Sequence, residues 1–150
     1  MASRLVVDSS VVISAGQPAE AAHADALAFL DRLRAASAAG LAEAFAPPEL
    51  WLEVHVAEHR LARGTAPASA LAGLPVELVA PADRAAITGF LERLEARTRG
   101  RRPHVNATDL VYVWAAFQVG AAALVTLDRG LLKYDRVFCE VRLPRDVWFG

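Results

Sequence analysis

Four acidic residues are set beside or inside apolar segments, where a folded chain rarely leaves a bare charge. Asp8 ends Leu5-Val6-Val7, and Glu53 lies within Pro48-Glu49-Leu50-Trp51-Leu52-Glu53-Val54. Asp109 opens Leu110-Val111-Tyr112-Val113-Trp114, and Asp128 closes Leu124-Val125-Thr126-Leu127. A buried carboxylate is costly unless something positive compensates it. Only Asp128 has a basic neighbour in the chain, Arg129. If folding gathers the four, the simplest shared counter-ion is a divalent metal, which oxygen ligands suit. Each acid also has a structural reading: Asp8 and Asp128 as caps, Asp109 as complement to a helix dipole, Glu53 as a solvated helical residue. The four together are harder to dismiss than any one.

Two other groups of residues compete for attention. His55-Val56-Ala57-Glu58-His59 fits the H-x-x-E-H pattern of zinc peptidases, with two histidines at i, i+4. On a helical wheel, however, both histidines fall roughly 140–180° from Leu50, opposite the Leu50, Val54, Ala57, Leu61 stripe. No third ligand is assignable, so an interface or plain surface position is expected and a zinc peptidase is not. Glu53 lies roughly 60° from Leu50, at the border of the buried stripe. Arg97, Arg99, Arg101, Arg102 and His104 form a basic cluster. It reads either as a solvated loop or as a local phosphate-binding patch, to which Arg129 and Lys133 would add.

The elements that must position these groups alternate. Arg4–Asp8, Ala44–Ala46, Val76–Val79, Ala123–Leu127 and Val137–Leu143 read as strands. Ala19–Ala39, Glu49–Arg63, Ala82–Arg99 and Asn106–Val119 read as helices, Thr65–Gly73 as a weak helix or loop, and Arg129–Leu132 as a short helical turn. Asn106 is a candidate N-cap, which would put Asp109 at N3. Such alternation predicts a mostly parallel sheet flanked by helices, with functional groups at the carboxyl ends of its strands.

Bulk properties narrow the class. A chain of 150 residues with 55% hydrophobic and 22% charged residues is expected to be one folded domain spanning residues 1–150. Its net charge of -1 gives no global attraction to nucleic acid, so any basic surface must be local. The single cysteine, Cys139, excludes an internal disulfide framework and a cysteine-based zinc site, and suits a reducing compartment. The apolar run at the N-terminus is too short for a signal peptide, and no run approaches the ~20 residues needed to span a bilayer. The expected location is the cytoplasm.

With these residues in view, the chain resembles the PIN-domain ribonucleases, most closely the VapC-type toxins of toxin–antitoxin pairs. The matching segments are Leu5-Val6-Val7-Asp8-Ser9-Ser10, Pro47-Pro48-Glu49-Leu50-Trp51-Leu52-Glu53-Val54, Asn106-Ala107-Thr108-Asp109-Leu110-Val111-Tyr112 and Leu124-Val125-Thr126-Leu127-Asp128-Arg129. They follow the family's order of Asp, Glu, Asp, Asp across almost the whole chain. The resemblance implies a PIN-like α/β/α sandwich in which Asp8, Glu53, Asp109 and Asp128 are catalytic acids that bind Mg²⁺ or Mn²⁺. Thr126 and Ser10 would support them; Thr65 to Arg102 is not matched by the resemblance, and Arg101, Arg102 and Arg129 are candidate RNA contacts on their charge alone. It further implies an endoribonuclease that leaves 5′-phosphate and 3′-hydroxyl ends, a cognate antitoxin that blocks the cleft, and a homodimer. The alternative is a PIN-like module that binds RNA or protein without cutting.

Overall fold

The computed structural model describes residues 1–61, 71–80, 83–98 and 107–150. Leu5-Val6-Val7 and Ala123-Leu124-Val125 are short, unbroken apolar runs, the pattern of strands covered on both faces. They lie in β1 (Ser3–Val7) and β4 (Ala123–Val125). With β2 (Ala42–Ala46), β3 (Val76–Leu78) and β5 (Glu140–Arg142) they form one sheet in the order β3-β2-β1-β4-β5. Every pairing is parallel. Among the described residues, five helices flank it: α1 (Ser9–Ala15), α2 (His23–Ala38), α3 (Glu49–Leu61), α4 (Arg84–Thr98) and α5 (Ala107–Val119). Two short 3-10 turns, Arg129–Tyr134 and Pro144–Asp146, bracket β5. This is the α/β sandwich expected from the sequence, with a sheet wholly rather than mostly parallel.

The order reverses at β1: the chain builds β2 and β3 on one side, then crosses back to lay β4 and β5 on the other. Such a switch point leaves a crevice beyond the carboxyl ends of the two central strands, where ligands of open α/β sheets bind. α5 packs across β1, β2 and β4 and leads directly into β4, so it runs antiparallel to the strands. Its first turn therefore lies at the same edge of the sheet as Asp8 and Asp128. The side chains beneath that edge are fully dry: Val6, Val7, Leu124 and Val125 have no exposed surface. α4 is docked by its ring: Phe90, Phe117 and Phe138 pack with centroids 4.9–5.6 Å apart.

Several boundaries shift for identifiable reasons. α2 begins at His23 rather than Ala19, because turns through Gln17, Glu20 and His23 link it to α1. β4 stops at Val125 rather than Leu127, since the Leu127 and Asp128 N–H groups donate to the Ser10 and Thr126 hydroxyls. β5 begins at Glu140 rather than Val137. The preceding segment is a turn in which Arg136, with φ 61°, donates its N–H to the Cys139 carbonyl. α2 and α5 end as their glycines predict: Gly40 (φ 70°) and Gly120 (φ 61°) let Leu41 and Ala121 donate back to Ala36 and Ala116. The weak element expected at Thr65–Gly73 and the Asn106 cap fall largely or wholly outside the described residues. No helix among those described is long and apolar enough to cross a membrane.

Candidate functional site

Strand register brings Asp8, at the exit of β1, against the exit of β4. Val7 pairs with Val125, and the Asp8 N–H donates to the Val125 carbonyl at 3.0 Å. Asp8 thereby faces Thr126 across the switch point. Asp8 occupies the N-cap position of α1, yet its side chain makes no capping bond. Its carboxylate Oδ2 instead accepts from Ser10 Oγ at 2.5 Å and from Thr126 Oγ1 at 2.7 Å. The capping explanation of Asp8 therefore fails. The same two hydroxyls accept from the Leu127 and Asp128 N–H groups at 3.0 and 2.9 Å, so they tie the β4 exit to the β1 exit.

Asp8 is only 5% exposed. Burial, above all, raises its carboxyl above the ordinary value; the Ser10 and Thr126 hydroxyls oppose the shift, and the charges of Glu53 and Asp128 add to it. The charges of Glu53 and Asp128 thus act on Asp8 electrostatically. None of the ion pairs among the described residues involves any of the four acids.

Glu53 sits one turn into α3 and is half-buried, at the border position that the helical wheel predicts. Its Oε2 accepts from Ser9 Oγ in a very short contact and from Tyr112 OH at 2.9 Å. Its Oε1 is buried and has no hydrogen-bond partner among the described residues. A buried carboxylate oxygen left in that state is costly, and such an atom calls for a ligand. The Tyr112 phenol is held far above its usual range, first by burial and then by the nearby Asp8 and Glu53 charges, so it serves only as a neutral donor. Ser9 and Tyr112 were not among the residues singled out in the sequence. Ser9 adjoins the motif acid Asp8, and Tyr112 lies three positions after Asp109, on a helix whose packing face only the fold defines.

The other two acids stand further out. Asp128 is exposed and caps the Arg129–Tyr134 turn, its Oδ1 accepting from the Gly130 N–H at 2.7 Å. Its structural reading thus holds for one oxygen. Asp109 is half-buried in the first turn of α5, and its charge, after burial, raises the Tyr134 phenol. The acids share an edge, but Asp8, Glu53 and Asp128 are each held by their own neutral donors. Among the described residues, no three His, Cys, Asp or Glu side chains converge closely enough to hold a metal ion between them. Like charges repel at short range, and hydroxyls, a phenol and a backbone N–H hold these carboxylates in separate positions.

The donors present suit a hard divalent cation rather than a softer one, being carboxylate and hydroxyl oxygens. Mg²⁺ is commonly bound through one or two carboxylates, with water and substrate phosphate filling its remaining positions. Asp8 and Glu53 could provide that anchor, with the orphaned Glu53 Oε1 the clearest open donor.

Arg129 is exposed beside Asp128. Arg101 and Arg102, with Arg99 and His104, lie outside the described residues. Arg97 is committed to the fold: its guanidinium donates to the Val137 carbonyl at 2.5 Å and lies 5.1 Å from the Phe138 ring centre. Lys133 lies over the Tyr134 ring at 5.2 Å. His55 and His59 are both exposed, as the wheel predicts. No model of a known protein family and no curated protein matches this chain.

Proposed function

We propose that this chain is a Mg²⁺- or Mn²⁺-dependent endoribonuclease of the PIN-domain type, acting as the toxin of a toxin–antitoxin pair. The observation that carries the reading is the Asp8–Glu53 pair at the switch point of a parallel sheet. Among the described residues, Asp8 is buried without an ion-pair partner and Glu53 keeps a buried oxygen with no donor. A bound divalent cation supplies Lewis acidity and a water of lowered pKa for in-line attack on phosphorus. The chain's own residues do the positioning. Ser10 and Thr126 hold Asp8 in one rotamer, and their donated bonds favour its ionised form. Ser9 and Tyr112 orient Glu53. Asp109 and Asp128 add negative potential at the same edge, and Arg129, with Arg101 and Arg102, would meet the phosphate backbone.

The remaining parts of the reading follow from the same resemblance: a homodimer in the cytoplasm, held inactive by an antitoxin. An apolar cleft of about 410 Å³, lined by Pro48, Phe90, Leu110, Val111 and Trp114 among others, could take the apolar face of a partner's helix. The competing reading, a PIN-like module that binds RNA or protein without cutting, draws support from the separation of the acids. The test is incubation of a structured RNA pool with the purified chain and with Asp8→Asn, in Mg²⁺, Mn²⁺, Zn²⁺ or EDTA. The proposal expects cleavage in Mg²⁺ or Mn²⁺ that EDTA and Asp8→Asn both abolish. Cleavage that survives Asp8→Asn would sink it, and RNA binding without cleavage in any metal would favour the module.

A further inference from the structure

The outward face of α3 takes no part in the proposed nuclease, yet it is built from unusual residues for a solvated helix. Leu50 and Val54 are buried beneath it, while Trp51, Leu52, His55, Val56 and His59 are exposed. At 100° per residue these five occupy an arc of roughly 140° opposite Leu50. Glu53 lies roughly 120–160° around the helix from the two imidazoles, so they do not belong to the carboxylate site. The three apolar members are substantially open to water: Trp51 42%, Leu52 68% and Val56 38%. Clustered apolar side chains of this kind mark an interaction surface.

One imidazole on that face, that of His55, is already oriented as a ligand. His55 Nδ1 lies 2.6 Å from the Trp51 carbonyl oxygen. A carbonyl only accepts, so Nδ1 carries the proton and Nε2 presents its lone pair. Metal-binding histidines are oriented in this way, by donation of the other ring nitrogen to a carbonyl or carboxylate. The Trp51 ring, with its centre 5.9 Å from that of the imidazole, restrains it further. His59 follows one helical turn later, on the same side.

We infer that His55 and His59 form a two-imidazole site for a borderline divalent cation of the zinc type, completed by the same two residues of a second copy of this chain. Structural zinc takes four ligands in a tetrahedron, and one chain supplies half of them. A two-fold axis through the metal supplies the other half with no further residue type, since such an interface is self-complementary. The same contact covers Trp51, Leu52 and Val56. Imidazole favours zinc, whereas the carboxylate cluster favours magnesium, so the two sites differ in metal preference. The inference stands independently of the nuclease reading.

The experiment is sedimentation velocity of the EDTA-treated full chain, titrated with ZnCl₂ alone and, in parallel, with MgCl₂. Zinc should double the mass of the metal-free species at one zinc per two chains, and magnesium should not. Asp8→Asn should keep this response. His55→Gln and His59→Gln, at exposed positions that leave the fold intact by circular dichroism, should each weaken it. The weakening should be at least the roughly 10- to 100-fold that loss of a ligand's supporting contact costs. The inference is overturned if zinc leaves the mass unchanged, if it binds one per chain without association, or if doubling persists in both histidine variants.

Discussion

Replacing Thr126 with valine isolates the interaction that joins β1 to β4 at the site. The side chain is fully buried and the change is nearly isosteric, so packing is retained while two hydrogen bonds disappear. The first is the 2.7 Å bond to Asp8 Oδ2, a bond to a carboxylate worth roughly 1.5–3 kcal/mol. The second is the 2.9 Å bond from the Asp128 N–H, whose loss adds about 1 kcal/mol where water reaches that group. Thr126→Val should therefore destabilise the fold by about 2–4 kcal/mol at neutral pH, or roughly 5–15 °C in Tm for a chain of this size. The loss has a pH signature. The Thr126 hydroxyl favours ionised Asp8, so its removal raises the Asp8 carboxyl further. A carboxyl raised in the folded state destabilises only when ionised. The penalty is absent below the unfolded value of 3.8 and grows as pH rises through the folded value. Urea unfolding at about pH 4 and about pH 8 should show the larger loss at the higher pH. A loss under about 1 kcal/mol at pH 8, or one that is greater at pH 4, would refute the reasoning.

Asp8→Asn removes the ionisation penalty itself. It should raise Tm near pH 8, with the gain fading as pH falls from the raised folded value towards 3.8, while eliminating RNA cleavage; thermal melts across pH measure the first and the RNA pool the second. Tyr112→Phe leaves Glu53 Oε2 with Ser9 alone, and should cost roughly 1.5–3 kcal/mol in denaturant titration and lower Mn²⁺ affinity by calorimetry. An unchanged affinity would remove Glu53 from the metal site. The Cys139 thiol is pushed up to about 11, chiefly by burial, so iodoacetamide at pH 8 should label it roughly 100-fold more slowly than a free thiol. Labelling at the free-thiol rate would mean that the segment before β5 opens.

Local pattern made much of the fold legible. Unbroken apolar runs marked the two central strands, and glycines at 40 and 120 marked helix ends, because both are properties of a few neighbouring residues. The exposure of His55 and His59 and the border position of Glu53 followed from helical periodicity alone. Boundaries failed where side chains competed with the backbone for its hydrogen bonds. The β4 exit is the clearest case, since the Ser10 hydroxyl that takes the Leu127 N–H lies 117 residues away in sequence.

By itself, the sequence determined which acids stand at the ends of strands and starts of helices, since an Asp after an apolar run occupies that place in any parallel arrangement. Only the tertiary structure decided how each is held. Parallel register sets Asp8 against Thr126, and helix packing sets Glu53 against Ser9 and Tyr112. The same packing strands one Glu53 oxygen and keeps the four carboxylates in separate positions. Those outcomes depend on contacts between distant segments, whose geometry is fixed by burial of the whole core rather than by any residue's neighbours.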